Sequence, residues 1–344
     1  MQYRRLGRTG LQVSELCLGA MMFGAWGNTD HDDSVRIIHS ALDAGLNFID
    51  TADVYSAGES EEIVAKAIVG RRDELVIATK FFSPMSKNPN HWGASRRWII
   101  QECENSLRRL GTDYIDLYQI HRPDPLTDID ETLGALSDLV HQGKVRYLGS
   151  STFQVSEIVE AQWVAERRGR ERFVCEQPPY SILVRGVEAD VLATCQRYGM
   201  GVIPWSPLAG GWLSGRWRKG AGDLTSARAA RIPARYDLAL PGNQLKLDAA
   251  EALAVLAEEV GMSLIHLALG FTLRHPAVTS TIIGPRTAEH LDSQLGAVDV
   301  RLSDEVMDRI DLIVPPGTNF SWADAGYVPP GIADARQRRR PIGP

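Results

Sequence analysis

A carboxylate, a phenol, an ammonium and an imidazole fall at or just beyond the ends of three apolar segments. Asp50 and Tyr55 lie in Asp50-Thr51-Ala52-Asp53-Val54-Tyr55, Lys80 closes Ala78-Thr79-Lys80, and His121 closes Gln119-Ile120-His121. Singly, each has an ordinary explanation as a cap, a surface group or a hydrogen-bonded structural residue. Together they support one reaction. A buried Lys80 beside Asp50 stays protonated, and its charge is expected to lower the pKa of the Tyr55 phenol, making that hydroxyl a proton donor near neutral pH. A neutral His121 is expected to hold a substrate carbonyl oxygen near the phenol as negative charge develops. No side chain of this set delivers reducing equivalents, so a carbonyl reduction built on it needs a hydride carrier.

The four groups can share a pocket only if the segments ending in them are neighbouring parallel strands. Eight short apolar runs recur, at residues 15–18, 47–50, 75–79, 114–119, 145–150, 173–177, 201–205 and 280–283. Between them, residues 34–44, 59–69, 95–110, 129–141, 155–168, 188–198 and 248–260 place apolar side chains on one face at helical spacing. Gly45, Gly111 and Gly143 stand where left-handed helix stops are wanted. Runs with so little polar alternation suit a parallel sheet covered by helices. No Pro/Gly/Ser linker divides the series, so the expectation is an α/β fold, a single (β/α)8 TIM barrel over residues 1–315, with a doubly wound sheet as the rival. Turn glycines at Gly7 and Gly10 make the N-terminus a β-hairpin able to cover the barrel bottom. The Gly-, Arg- and Pro-rich stretch from 208 to about 244 is a long loop after strand seven. Residues 316–344, with Arg336, Arg338, Arg339 and Arg340, are expected to form a solvated, partly flexible tail.

Composition narrows the class. With 344 residues, 44% hydrophobic and 23% charged, the chain can bury a sizeable core, which excludes global disorder. Lys and Arg total 37 against 43 Asp and Glu, so no basic field attracts nucleic acid or anionic lipid. No apolar run reaches membrane-span length and the N-terminus lacks a signal-peptide core, so a cytoplasmic location without membrane contact is expected. Cys17, Cys103, Cys175 and Cys195 are too scattered for a C-x-x-C pair and read as reduced, mostly buried thiols. No metal site is expected: His31-Asp32-Asp33 reads as a polar loop entering a helix. A homo-oligomer is left open, since no heptad or interface stripe stands out.

A hydride carrier would need a phosphate site. Neither G-x-G-x-x-G after a strand nor a P-loop occurs. The alternative lies after strands seven and eight, in Pro204-Trp205-Ser206-Pro207-Leu208-Ala209-Gly210-Gly211 and in Ile282-Ile283-Gly284-Pro285-Arg286-Thr287, which opens a helix near Ala288. Glycine-rich turns and helix N-termini present amides to phosphate, and Arg286 could pair with it bidentately. Met21, Met22, Phe23, Trp26, Phe81, Phe82, His91 and Trp92 are candidate pocket walls suited to a flat or hydrophobic carbonyl compound, with core packing the alternative for several.

In this order the segments resemble the aldo-keto reductases, nearest the bacterial branch that is also similar to potassium-channel β-subunits. The matching text runs from Asn47-Phe48-Ile49-Asp50-Thr51-Ala52-Asp53-Val54-Tyr55 with Gly58-Glu59-Ser60-Glu61, through Ala78-Thr79-Lys80 and Asp113-Tyr114-Ile115-Asp116-Leu117-Tyr118-Gln119-Ile120-His121. It continues through Cys175-Glu176-Gln177, Trp205-Ser206-Pro207-Leu208 and Ile283-Gly284-Pro285-Arg286. The resemblance implies a barrel that reduces a small-molecule aldehyde or ketone with NADPH, releasing NADP+. It implies Tyr55 as the acid tuned by Asp50 and Lys80, His121 orienting the carbonyl, Ser151 and Gln177 holding the carboxamide, and Trp205 stacking on nicotinamide. Ser206, Leu208 and Gly210 fall in the pyrophosphate loop, Arg286 meets the adenosine 2′-phosphate, and Gly19, Asp50 and Gly284 complete the cofactor contacts. Three positions depart from the family pattern: Thr152 stands for an Asn beside the carboxamide, and His290 and Gln294 for a Gln and an Asn of the last helix.

Two other functions compete. A barrel lysine such as Lys80 forms Schiff bases in aldolase-like chemistry. A non-enzymatic protein of this type would bind NADP(H) and act as a redox-sensing regulatory subunit with little turnover.

Overall fold

The computed structural model describes residues 1–220 and 227–339. Six residues of the long loop and Arg340 of the basic tail therefore lie outside the described residues.

The chain opens with the expected hairpin. Strand β1 (Tyr3–Arg5) pairs antiparallel with β2 (Gln12–Ser14), Tyr3 opposite Ser14. Eight parallel strands follow: β3 (Leu16–Gly19), β4 (Phe48–Asp50), β5 (Val76–Phe81), β6 (Ile115–Ile120), β7 (Val145–Ser151), β8 (Phe173–Gln177), β9 (Gly201–Val202) and β10 (Thr281–Ile283). They are ordered β10-β3-β4-β5-β6-β7-β8-β9. The circle closes where Val202 bridges Val278 and the Ile282 amide donates to Pro204 O at 3.0 Å. This is the (β/α)8 barrel, and the doubly wound alternative is excluded by that closure.

Each strand end is set by the helix after it. Helices α1 (His31–Asp43), α2 (Glu59–Ala67), α3 (Arg96–Leu110), α4 (Ile129–His141), α5 (Val155–Arg168) and α6 (Val191–Tyr198) alternate with the strands. Asp30 and Ser95 cap α1 and α3 by accepting from Asp33 N and Trp98 N. Gly45, Gly111 and Gly143 take φ of 93°, 62° and 74° beyond their helices, as read from the sequence. After β9 come α7 (Ala227–Arg231), α8 (Pro241–Glu259) and α9 (Leu264–Arg274), and after β10 come α10 (Ala288–Leu295) and α11 (Asp304–Ile313).

The larger departures from the sequence reading have local causes. Strand β9 stops at Val202 because Pro204 has no amide for the ladder. Helix α6 starts at Val191, after a single 3-10 turn over Gly186–Glu188. Helix α8 begins at Pro241, whose fixed φ and missing N–H suit a first helical turn. Helix α9 went unread because it lacks a polar face; seven of its residues are buried.

Two apolar layers hold the barrel. Inside it, Cys17, Phe48, Val76, Ala78, Leu117, Cys175, Ile203 and Ile282 pack with Leu6 and Val13, so the hairpin plugs the lower mouth. Gly7 allows that approach: at φ 58°, an added Cβ would lie 2.5 Å from Gly199 O. All four cysteines are free and buried. The chain after Pro315 returns across the barrel instead of trailing away: the Arg185 amide donates to Thr318 O at 2.8 Å and Lys246 Nζ lies 2.7 Å from Asp324 Oδ2. No single helix among the described residues is long and apolar enough to cross a membrane; α8 and α9 meet that test only as a pair bent by 95°.

Candidate active site

Strand register brings the reactive groups together. Asp50 sits opposite Ala78, and Lys80 opposite Gln119, so alternate inward-pointing residues of β4, β5 and β6 meet above the plugged interior. Lys80 is fully buried; its Nζ donates to Asp50 Oδ2 at 2.6 Å, to Thr51 O at 2.8 Å and to the Tyr55 hydroxyl at 3.3 Å. The other Asp50 oxygen accepts from Gln177 Nε2 at 2.8 Å and Gln119 Nε2 at 3.1 Å. Both oxygens are thus engaged by protein. The His121 ring stands edge-on to Tyr55 with centroids 5.7 Å apart, and Trp26 covers the phenol from another side at 5.9 Å.

Burial decides the protonation states. It opposes the Lys80 charge, but the Asp50 carboxylate and the Tyr55 hydroxyl offset this and hold the ammonium above its ordinary range. The Tyr55 phenol moves opposite to the sequence expectation. Desolvation pushes it above its ordinary range, and Lys80 pulls it back only in part. A phenol held protonated and touching a permanent ammonium is still a proton donor whose anion the cation stabilises. Burial, reinforced by Arg122 and Lys80, pushes His121 well below the imidazole range, so the ring is neutral. Its Nδ1 is buried without a partner among the described residues.

The neutral His121 has a consequence for stability. The unfolded chain takes up a proton near pH ~6.5, whereas the folded imidazole resists it, so this residue costs stability as pH falls below that value and nothing above it. Urea melts between pH 7.5 and 5.5 are expected to show a shallower loss for His121→Gln than for the wild type. Equal slopes would mean that the imidazole is charged in the folded protein.

Apart from Gly19 on β3 and Asp50 on β4, the cofactor candidates lie on or after β7 to β10. Ser151 Oγ donates to Gln177 O at 2.9 Å and Thr152 Oγ1 to Ser151 O at 2.6 Å, leaving both hydroxyl oxygens and Gln177 Oε1 able to accept from a carboxamide. Thr152, Ser206 and Ala209 have φ of 59°, 57° and 51°, with Phe82 at 136° and Ser56 and Ala57 at 50° and 58°. Every described non-glycine residue with positive φ therefore lies on this rim, as expected where backbone strain serves a site. Leu208 O anchors the turn by accepting from Gly211 N at 2.9 Å, and Tyr236 donates to Gly210 O at 2.8 Å. A Cβ on Gly284 would meet nothing within 4 Å, whereas one on Gly19 would lie 2.7 Å from Ile282 Cγ2. Gly284 thus leaves open space beside the β10 turn, while Gly19 serves strand packing. Arg286 and the Thr287 cap of α10 follow; Gln294 is buried and bonded to His290 O at 2.7 Å, and His290 is exposed beside Arg286.

Two expected pocket walls are corrected. Phe23 and Phe81 are fully buried in the core, Phe81 against Tyr118 at 4.9 Å, because the barrel wall claims them. Met22 is half-buried at the rim, and Trp92 is exposed, edge-on to Phe82 at 6.1 Å. The sequence reading missed Gln119, although it lies two residues before His121 and so on the same strand face. It missed the C-terminal wall too: a Cβ on Gly326 would fall 2.5 Å from Trp205 Cζ2 and 3.4 Å from Thr152 Cγ2. Trp205 Nε1 is buried and unpartnered among the described residues.

The sequence profile of the Aldo/keto reductase family matches residues 15–315. The chain is 40% identical to the uncharacterized oxidoreductase YrpG of Bacillus subtilis (strain 168), over 92% of this chain and 97% of that protein. It is 36% identical to a putative voltage-gated potassium channel subunit beta of Schizosaccharomyces pombe, over 94% and 95%. Versiconal hemiacetal acetate reductase of Aspergillus parasiticus shares 33%, over 90% and 96%.

Proposed function

The chain belongs to the aldo/keto reductase family, and from that membership we propose that it reduces an aldehyde or ketone to the alcohol with NADPH, with Tyr55 as the general acid. The observation that carries this reading is the contact of the Tyr55 hydroxyl with the Lys80 ammonium, 3.3 Å away and itself locked to Asp50. A nicotinamide cofactor fits the rim chemically. Acceptor oxygens of Ser151, Thr152 and Gln177 suit a carboxamide, Trp205 suits a planar ring, and the open turn at Gly284 with Arg286 suits phosphate.

Bound there, reduced nicotinamide supplies the hydride. The protein's residues do the rest. Neutral His121 donates to the carbonyl oxygen and holds it at the phenol. Tyr55 gives that oxygen its proton, and Lys80 stabilises the phenolate that remains. Asp50 keeps Lys80 charged and in place, while Gln119 and Gln177 fix Asp50. Trp26, packed beside the Tyr55 ring, helps keep water from the reacting atoms. The reading places this activity in the cytoplasm.

Lys80 is unsuited to Schiff-base chemistry. Its amine is fully buried, charged and engaged with three oxygens, so it has no free lone pair for a carbonyl.

The similarity to channel subunits raises a second reading, a redox sensor with little turnover. Sustained oxidation of NADPH by a panel of aromatic aldehydes separates the two; a single slow turnover would favour sensing. If Arg286 meets the 2′-phosphate, Arg286→Ala weakens NADPH about 10- to 100-fold, the worth of a charge-assisted hydrogen bond, and NADH little. Fluorescence titration with both nucleotides checks this, and equal losses would put the contact elsewhere.

A further inference from the structure

The pocket mouth carries positive charge that the proposed reaction does not use. Arg122 follows His121 at the end of β6 and is half-buried. Its Nη1 donates to His121 O, and among the described residues no carboxylate lies within ion-pair distance of it. Among the described residues, the charged or titratable groups that act on it are Tyr55, Arg235 and Glu176.

None of these neutralises it. Arg235 adds a second cation, itself held by Ala323 O at 2.7 Å and standing 3.6 Å from Asp324. Asp324 is already shared with Lys246 at 2.7 Å. Glu176 is fully buried, and desolvation pushes its carboxyl up to about 8, so it is mostly neutral at pH 7. Asp50 belongs to Lys80. A chain of net charge −6 has thus gathered guanidinium groups at one opening, and a partly desolvated guanidinium without an anion is unfavourable.

Position says which anion this is. Most candidate cofactor residues lie on or after β7 to β10 and on α10, whereas Arg122 stands just beyond β6, beside the residue that would orient the carbonyl. We propose that Arg122, supported by Arg235, is an anion subsite for the substrate, so that the preferred carbonyl compound carries a carboxylate or another oxyanion in addition to its carbonyl group. The planar fork of Arg122 suits such a group bidentately. This proposal rests on the carbonyl-reductase reading and adds the substrate class to it.

The test compares 4-formylbenzoate with its methyl ester, which differ in the charge opposite the aldehyde. Wild-type kcat/KM is expected to favour the acid by about 10- to 100-fold, in line with a charge-assisted hydrogen bond. In Arg122→Gln that ratio falls to near one, and Arg122→Lys gives an intermediate value. A wild-type preference for the ester, or a ratio unmoved by Arg122→Gln, overturns the subsite. A loss of NADPH affinity in Arg122→Gln matching the loss for the acid also overturns it, because the anion would then be the cofactor's. Calorimetry with 4-(hydroxymethyl)benzoate and its methyl ester on the NADP+-loaded protein separates this from the activity itself. If neither aldehyde turns over, but the acid binds more tightly and Arg122→Gln abolishes the difference, the reductase reading fails and the subsite stands. If the two alcohols bind alike in the wild type, the subsite fails.

Discussion

Replacing Tyr55 with Phe is expected to lower kcat about 100- to 10,000-fold, the range for a lost general acid, while NADPH affinity stays within about twofold. The ring would keep its place beside Trp26 and His121, since those ring contacts do not depend on the hydroxyl. Only the proton and the 3.3 Å contact with Lys80 are removed. Steady-state kinetics with a fixed aldehyde, beside a fluorescence titration of cofactor, separates the two effects. A variant with unchanged kcat would assign the proton to another group.

Lys80→Met is expected to damage both turnover and folding. It removes the cation that stabilises the Tyr55 anion, so kcat falls by at least about 100-fold. It also strands the Asp50 carboxylate in the barrel with two amide donors and no counter-charge, a change that costs about 3–5 kcal/mol for a broken buried pair. Adding Asp50→Asn removes the stranded charge while keeping a carbonyl oxygen for Gln119 and Gln177. Urea unfolding should therefore show the double variant more stable than Lys80→Met alone, with no recovery of activity. If Asp50→Asn further destabilised the Lys80→Met protein, the carboxylate would have to be supported by something other than the lysine.

These expectations join features that were unequally legible in the sequence. All eight barrel strands were readable because a parallel strand covered on both sides leaves a short apolar run, as in Leu16-Cys17-Leu18. The same burial hid α9: with Leu264, Leu267, Ala268, Leu269 and Phe271 all inside, no polar face marks a helix, and only the Ser263 cap announces it. Placing reactive residues at strand ends found Asp50, Lys80 and His121 because that rule depends on topology alone. Gln119 and Gln177 lock Asp50 from other strands; the resemblance named Gln177 only as a carboxamide ligand, and the shared grip on Asp50 depends on strand alternation and register.

Two errors share a physical origin, since residue type does not report depth. Phe23 and Phe81 have the character of pocket walls yet pack in the core, while Gly326, with no side chain to attract notice, lies against Trp205. The Tyr55 phenol was misjudged for the same reason. Its neighbours were read correctly, but the cost of desolvating it, which exceeds the pull of Lys80, depends on the closed surroundings and not on sequence spacing. The C-terminal segment illustrates the point at larger scale. Composition makes it a polar tail, but Arg185, Lys246 and Asp324 tie it across the barrel beside the candidate cofactor site.

The central claim is that Tyr55, Lys80 and His121 act on a carbonyl beside a reduced nicotinamide. Incubating the protein with NADPH deuterated at the transferable C4 position and an aromatic aldehyde, then weighing the alcohol by mass spectrometry, tests it most directly. The account predicts an alcohol heavier by one deuterium, at the carbon that bore the carbonyl, formed over many turnovers by the wild type and barely at all by Tyr55→Phe. An unlabelled alcohol, or labelled alcohol formed equally well by both proteins, would contradict it.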